Sequence, residues 1–435
     1  MKRIYQKLKN IIEDGLLYIL TNGFFTQIIG FLSSTLIIRY LPELEYGNYV
    51  NANNLYSYFT VFIGMGFGAV VLQFCSENRT SEEKNNIYCF TLKEGTIFNI
   101  ILLILITALS AFKWKDSIEA GQYLLMMSFL PLFSYFAGYF QVVLRVKNLN
   151  KEYSITGMAN AVVVFAINII FSKIIGVVSL IISQYAGNII SMVISIYYLR
   201  KSGNYNISFK TAQKLSIEDK RTLERYALLI AITNFTSNIL ILIDITCLGM
   251  MLSEPQILAG YKVASVVPNA MLFITSSVIV YYYPKLIRLY NEDIEAFSKK
   301  LKMIRRVLVI INGAIALGMF LFAPFIITLL FGEQYKKSIG IFRLLCFNYF
   351  VYSSYRKLYG NVIALIKKVK VNFINTALAG ILNIILNVFL INKYGAIGAA
   401  IATVCVSIFT TAFSFIYFHI FLKRKQNINK KIYNL

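Results

Sequence analysis

Apolar runs of about twenty residues, separated by short polar interruptions, recur along the whole chain, and that is the length a helix needs to cross a hydrocarbon layer. Twelve such runs can be marked. The first half predicts spans over Leu16–Ile38, Tyr49–Gln73, Phe90–Phe112, Tyr123–Leu144, Ser154–Phe171 and Gly176–Leu199. The second half predicts Tyr226–Leu252, Ile257–Tyr283, Val307–Phe331, Ile339–Ile366, Phe373–Ile391 and Ala396–Leu422. Between the halves lies the polar stretch RKSGNYNISFKTAQKLSIEDKR at 200–221. The expected architecture is therefore an all-α integral membrane protein of about 12 transmembrane helices in two six-helix bundles, residues 1–210 and 211–435. The halves are faintly alike: Thr21-Asn22 and Thr233-Asn234 stand 212 apart, as do Thr26 with Asn238 and Tyr49 with Tyr261. Repeated halves are common in transporters.

Composition agrees with this pattern. Of 435 residues, 57% are hydrophobic and 14% charged, against about 25% charged in soluble domains. The basic opening, MKRIYQKLKNIIEDG, leads into a run long enough to span and without a small-residue cleavage site, so it reads as a retained first span rather than a signal peptide. A net charge of +23 would suggest nucleic acid in a soluble protein. Here its placement is topological. With the N-terminus inside, inner segments together with the span-end Lys93 carry 32 of the 43 Lys and Arg, and outer turns together with the span-end Arg343 carry eight, the other three (Lys262, Arg356, Lys357) lying deeper in spans. Positive charge concentrates on the cytoplasmic side. The bias predicts that both termini lie in the cytoplasm, and it argues against a nucleic-acid partner.

Few residues suit covalent or metal chemistry. The cysteines Cys75, Cys89, Cys247, Cys346 and Cys405 are scattered, with no CxxC pair, and His419 is the sole histidine. The stretch GEQYKKS at 332–338 lacks the second glycine of a phosphate loop. Neither a catalytic site nor a cofactor or metal is expected.

Polar groups inside hydrocarbon are costly, so their positions carry information. In the seventh span Thr233, Asn234, Ser237, Asn238 and Asp244 fall on one arc of about 140° at helical spacing. Thr21, Asn22, Thr26 and Ser33 form a similar stripe on the first span. NYVNANNLYSY, containing Asn51, and NYFVYSSYRKLYGN, containing Tyr352, combine hydrogen-bonding groups with flat apolar faces, which suit a sugar. The alternative reading is interhelical bonding and interface anchoring. Of the three cations within spans, Arg356 is the stronger candidate for a phosphate ligand because its planar fork pairs bidentately; Lys262 and Lys357 can snorkel. Asp244, the one carboxylate well inside a span, is a candidate ion-coupling residue that a proton or sodium ion could neutralise. Its competing role is a structural ion pair with a cation such as Lys262.

Two shorter stretches carry expectations about shape. In RYLPELEYGNY at 39–49, Pro42 and Gly47 are expected to break the helix in an outer turn whose charges reach water. The segment KLIRLYNEDIEAFSKKLKMIRR at 285–306 places Leu286, Leu289, Ile294, Phe297, Leu301 and Ile304 at near-helical spacing. This predicts an amphipathic helix on the inner membrane surface or a solvated linker.

RYLPELEYGNY at 39–49, Asp244 followed by Gly249 and GYKVA at 260–264, LFGEQY at 330–335 and NFINTALAGILNIILNVFLINKYGAIGAAIAT at 372–403 together resemble one family. It is the polysaccharide flippases, the Wzx-type O-antigen repeat-unit carriers of the multidrug/oligosaccharidyl-lipid/polysaccharide exporter superfamily. The resemblance implies a V-shaped pair of six-helix bundles around a central cavity. It also implies movement of undecaprenyl-pyrophosphate-linked oligosaccharide from the inner to the outer leaflet of the bacterial cytoplasmic (inner) membrane, as in O-antigen and lipopolysaccharide biosynthesis, with membrane lipid and polysaccharide assembly proteins as partners. No residue role is carried over; the family's cavity cations correspond only in kind to Lys262 and Arg356. Two alternatives stand beside it: a drug or small-solute antiporter of the same superfamily, and a polysaccharide polymerase or ligase. The antiporter would favour cavity carboxylates. The enzyme would need a large outer loop, and every outer turn here is about ten residues or shorter.

Overall fold

The computed structural model describes residues 16–433 except 78, 116, 204–206, 209–214, 253 and 367. Among these residues there are helices and turns but no strand. The basic N-terminal stretch and much of the central polar stretch lie outside the described residues. The chain divides into two compact units, Met1–Phe235 and Thr236–Leu435.

The first unit contains α1 (Leu16–Tyr40), α2 (Glu43–Thr60), α3 (Phe67–Phe74), α4 (Ser81–Lys113), α5 (Ile118–Met127), α6 (Leu130–Val146), α7 (Asn150–Ile175) and α8 (Val178–Lys201). α7 packs on both α1 and α8, and α8 also packs on α6. Helix α2 enters directly from Pro42, with Glu43 and Glu45 in its first turn, where carboxylates favour the positive end of the helix dipole. Here one expectation fails. Gly47 lies buried inside α2 rather than breaking it, and Tyr46, Asn48, Tyr49 and Val50 beside it are buried too. Only Pro42 interrupts the helix, because the apolar residues of the motif pack inward. The second span instead breaks at Ile63–Gly66, where Gly64, Met65 and Gly66 all have positive φ. A side chain at Gly66 would lie 2.5 Å from the Ala227 carbonyl oxygen.

The second unit continues α9 (Ile217–Met251), which begins in the first, and adds α10 (Pro255–Glu292), α11 (Ile294–Leu321), α12 (Ala323–Phe331), α13 (Ile339–Val351), α14 (Lys357–Leu365), α15 (Val369–Tyr394) and α16 (Ala396–Tyr433). A π-turn at Tyr352–Arg356 joins α13 to α14. α10 and α11 form a hairpin turning at Asp293, whose carboxylate caps α11 by accepting from the amides of Glu295 and Ala296, each at 2.9 Å. The segment at 285–306 is therefore not a surface helix. Its apolar residues Leu286, Ile294, Phe297, Leu301 and Ile304 are buried against Leu358, Tyr359, Val362 and Phe418. The amphipathic spacing serves a protein core because α14 and α16 offer an apolar partner.

Ten helices among the described residues are long and apolar enough to cross a membrane. The two remaining expected spans correspond to α9 and to the interrupted α13–α14 pair. Large apolar side chains face outward, Ile174 at 71% and Phe389 at 70% exposure, as a lipid-solvated surface requires. Matching elements of the halves also share form. α7 and α15 are each 26 residues long, and each ends at a glycine of the same conformation, φ 56°, ψ −137° at Gly176 and φ 58°, ψ −139° at Gly395.

Candidate functional site

Asp244 lies on α9, 6% exposed. Its Oδ1 accepts from Asn383 Nδ2 at 3.1 Å and Asn387 Nδ2 at 2.9 Å. Its Oδ2 accepts from the Tyr261 hydroxyl at 2.8 Å and from Thr403 Oγ1. Four helices thus converge on one carboxylate. Local sequence arranges them. Asn383 and Asn387 are one turn apart on α15, and the turn at Gly395 sends α16 back along α15. A Cβ at Gly398 would meet the Leu390 carbonyl oxygen at 2.0 Å, so only glycine allows α16 to start this close. Thr403 follows five residues later.

Every donor to Asp244 is neutral, and none of the ion pairs seen among the described residues involves it. The structural alternative of an Asp244–Lys262 ion pair therefore fails. Tyr261 faces the carboxylate, and one residue further along a helix is rotated by about 100°. The cluster also holds spare oxygen. Asn387 Oδ1 is buried with no hydrogen-bond partner, Asn383 Oδ1 accepts only from Asn387 at 2.7 Å, and the Ala399 carbonyl accepts from Thr403 at 3.1 Å. Carboxylate, amide, hydroxyl and carbonyl oxygens form the ligand set of a hard cation.

The three intramembrane cations have different surroundings. Lys357 is anchored, its Nζ donating to the Leu272 carbonyl at 3.1 Å and to Ser276 Oγ at 2.6 Å. Arg356 ends the π-turn, a feature frequent at functional sites because the extra residue re-aims a side chain. Its guanidinium lies across Gly360, where a Cβ would stand 2.5 Å from Nη1. Beside it, Asn372 donates to the Gly360 carbonyl at 2.8 Å while its own Oδ1 is buried without a partner. Arg356 and Lys262 are both half-buried, and neither has a hydrogen bond or ion pair to a described residue. They sit at different depths. Lys357, adjacent to Arg356, reaches Leu272 on α10, ten residues and so about 15 Å along that helix from Lys262.

The other expected site residues scatter. Asn22 is buried at the α1–α7 contact, where a Cβ on Gly157 would meet its amide at 2.7 Å. Ser33, about three turns further along the same face of α1, accepts from Asn168 Nδ2 at 3.3 Å, so this stripe bonds one helix to its neighbour. Asn51 is half-buried, whereas Tyr352, Asn234 and Asn238 are exposed. The side chains of Thr233 and Ser237 lie outside the described residues. Tyr261, Asn383, Asn387 and Thr403 all stand in motifs legible in the sequence, yet nothing in their spacing ties them to Asp244. Only the i, i+4 asparagine pair signalled a shared face.

The model of the polysaccharide biosynthesis protein family matches residues 12–290. The chain belongs to that family. A search of the curated proteins finds no match. Among solved structures, the lipid II flippase MurJ in an inward closed conformation is similar at TM-score 0.74 and 16% identity, covering 93% of this chain and 87% of MurJ. An inward-facing multidrug resistance MATE family transporter of the MOP superfamily is similar at TM-score 0.72 and 13% identity, covering 92% and 96%. A MOP superfamily transporter from Pyrococcus furiosus is similar at TM-score 0.58 and 14% identity, covering 94% and 93%. The family member therefore has the fold of MOP-superfamily transporters.

Proposed function

We propose that this protein is a flippase that carries a lipid-linked oligosaccharide, joined through pyrophosphate to a polyprenyl lipid, from the inner to the outer leaflet of the cytoplasmic membrane. The observation that carries the reading is a pair of half-buried intramembrane cations, Arg356 and Lys262, with no hydrogen-bonding or ion-pairing partner among the described residues. A cation inside hydrocarbon is costly, by about 2.5–3.5 kcal/mol at the midplane on insertion scales and by less toward either boundary; an anionic substrate group relieves that cost. Membership of the polysaccharide biosynthesis family supports the sugar, and O-antigen or a similar repeat unit is the cargo that fits. The depths of the two cations suggest succession. Arg356 lies 17 residues, about 25 Å, from the start of α13 and hence near the inner boundary, while Lys262 lies about 10 Å from the start of α10 near the outer one. The pyrophosphate is met by Arg356 on entry and by Lys262 before release.

Asp244 and its shell would couple this movement to a proton or sodium ion. Binding one ion cancels the charge of a buried carboxylate, and an inward ion gains about 2.3 kcal/mol per 100 mV. Asn383 and Asn387 can turn their amide oxygens toward the ion. A drug antiporter is the weaker reading, because a cationic drug needs a reachable carboxylate and Asp244 is closed in by four donors.

Replacing Arg356 with Gln should abolish surface polysaccharide while leaving the protein at its normal level in the membrane. Lys should rescue only partly, because it keeps the charge and loses the planar fork. Normal surface polysaccharide in Arg356→Gln cells rejects the role.

A further inference from the structure

We propose that the inner end of α8 is a binding site for an anionic glycerophospholipid of the cytoplasmic leaflet. The site lies within the first unit and uses none of the residues invoked above for transport. Its basis is an open surface recess of about 520 Å³ along one helix face, bordered by Val193, Ile196, Tyr197, Arg200 and Lys201. The five residues follow one another at i, i+3, i+4, i+7 and i+8, so a single helical face presents them. Val193 and Tyr197 are each 56% exposed, and the face is therefore open to lipid rather than sealed by protein.

Along the axis the lining changes from apolar to aromatic to cationic. This is the order in which a phospholipid passes from acyl chain through glycerol to phosphate. The dimensions agree. Val193 to Lys201 rises about 12 Å, and the last four steps of it, from Tyr197 to Lys201, rise about 6 Å. The polar layer of one leaflet is about 5–8 Å deep. With Tyr197 at the edge of the hydrocarbon, both cations stand at phosphate level. Lys201 Nζ is 5.8 Å from the Tyr197 ring centroid, so aromatic and cation bound the same space.

Lys201 is not needed to close the end of the helix. The Tyr198 and Arg200 carbonyls accept from the amides of Ser202 and Gly203 at 3.0 and 3.1 Å, and Ser202 Oγ donates to the Leu199 carbonyl at 3.0 Å. Two cations together also select the headgroup. A zwitterionic lipid brings its own ammonium group against Arg200 and Lys201, whereas an anionic one brings only negative charge.

Native mass spectrometry of the full-length protein, released from membranes with equal phosphatidylglycerol and phosphatidylethanolamine, tests this. Phosphatidylglycerol should be retained preferentially, and Arg200→Gln/Lys201→Gln should weaken retention by about fivefold for each cation removed. The charge-keeping Arg200→Lys/Lys201→Arg should retain it. Val193→Trp, which fills the apolar end on an exposed face and leaves both cations, should also lower retention. Equal retention of the two lipids, undiminished retention in the Gln pair, or no effect of Val193→Trp each overturns the site. Displacement of phosphatidylglycerol by an equimolar polyprenyl diphosphate does so too, since the occupant would then be the carrier lipid.

Discussion

At Asp244 the carboxylate oxygens accept four hydrogen bonds, two from carboxamides and two from hydroxyls. Neutral donors solvate a charge but do not cancel it, and that residual charge is what an ion would neutralise. In vesicles, flipping by the native protein is expected to accelerate under an imposed proton or sodium gradient, whereas Asp244→Asn should flip at a rate independent of it. An unchanged gradient response in Asp244→Asn makes the acid structural and moves coupling elsewhere. The shell can be probed by stability as well. Asn387 is fully buried, so Asn387→Leu should cost about 1.5–3 kcal/mol, the worth of a hydrogen bond to a charged group. That cost should shrink by about 1 kcal/mol when Asp244 is already Asn, and strictly additive losses would show that the two residues do not interact.

Among the elements, the α10–α11 hairpin departs furthest from its sequence reading. The spacing of Ile294, Phe297, Leu301 and Ile304 is equally suited to a membrane surface and to a protein core, because periodicity specifies a face and not what covers it. The core reading has a measurable consequence. Phe297 is fully buried against Phe418, with ring centroids 6.3 Å apart, and Phe297→Ala should destabilise the detergent-solubilised protein by about 3–5 kcal/mol. Met303, exposed on the same helix, should change stability by less than about 0.5 kcal/mol when replaced by Ala. Equal, small effects at the two positions would place the hairpin on the lipid rather than on α14 and α16.

For the whole molecule, orientation rests on charge. The 32 to 8 distribution of Lys and Arg between alternate sides predicts that the hairpin turn at Asp293 is cytoplasmic and the turn at Glu333 is external. Alkaline phosphatase fused at Glu333 should be active and at Asp293 inactive; the reverse pattern inverts the direction of transport proposed here. In the proposed cycle that orientation would put Arg356 near the loading side and Lys262 near the release side.

What the sequence determined by itself is whatever a one-dimensional pattern encodes. Span length follows from the bilayer thickness, the expected sidedness from the count of cations, and the likeness of the halves from polar residues 212 positions apart. Even Asp244 announced itself, because a carboxylate in hydrocarbon demands a partner wherever it sits. Which partner was decided only by tertiary structure. Lys262 is the nearest cation in an adjacent span, yet Tyr261 occupies the bonding position because a single residue of helical rotation separates the two. Asn383, Asn387 and Thr403 reach the carboxylate from about 140 to 160 residues away in sequence. Their contact depends on a glycine that lets two helices meet backbone to backbone. Likewise Gly47 has the composition of a turn and the position of a helix interior, since burial of its neighbours outweighs a local preference of about 1 kcal/mol. Local patterns fix which surfaces must be covered; the packing of helices distant in sequence fixes by what.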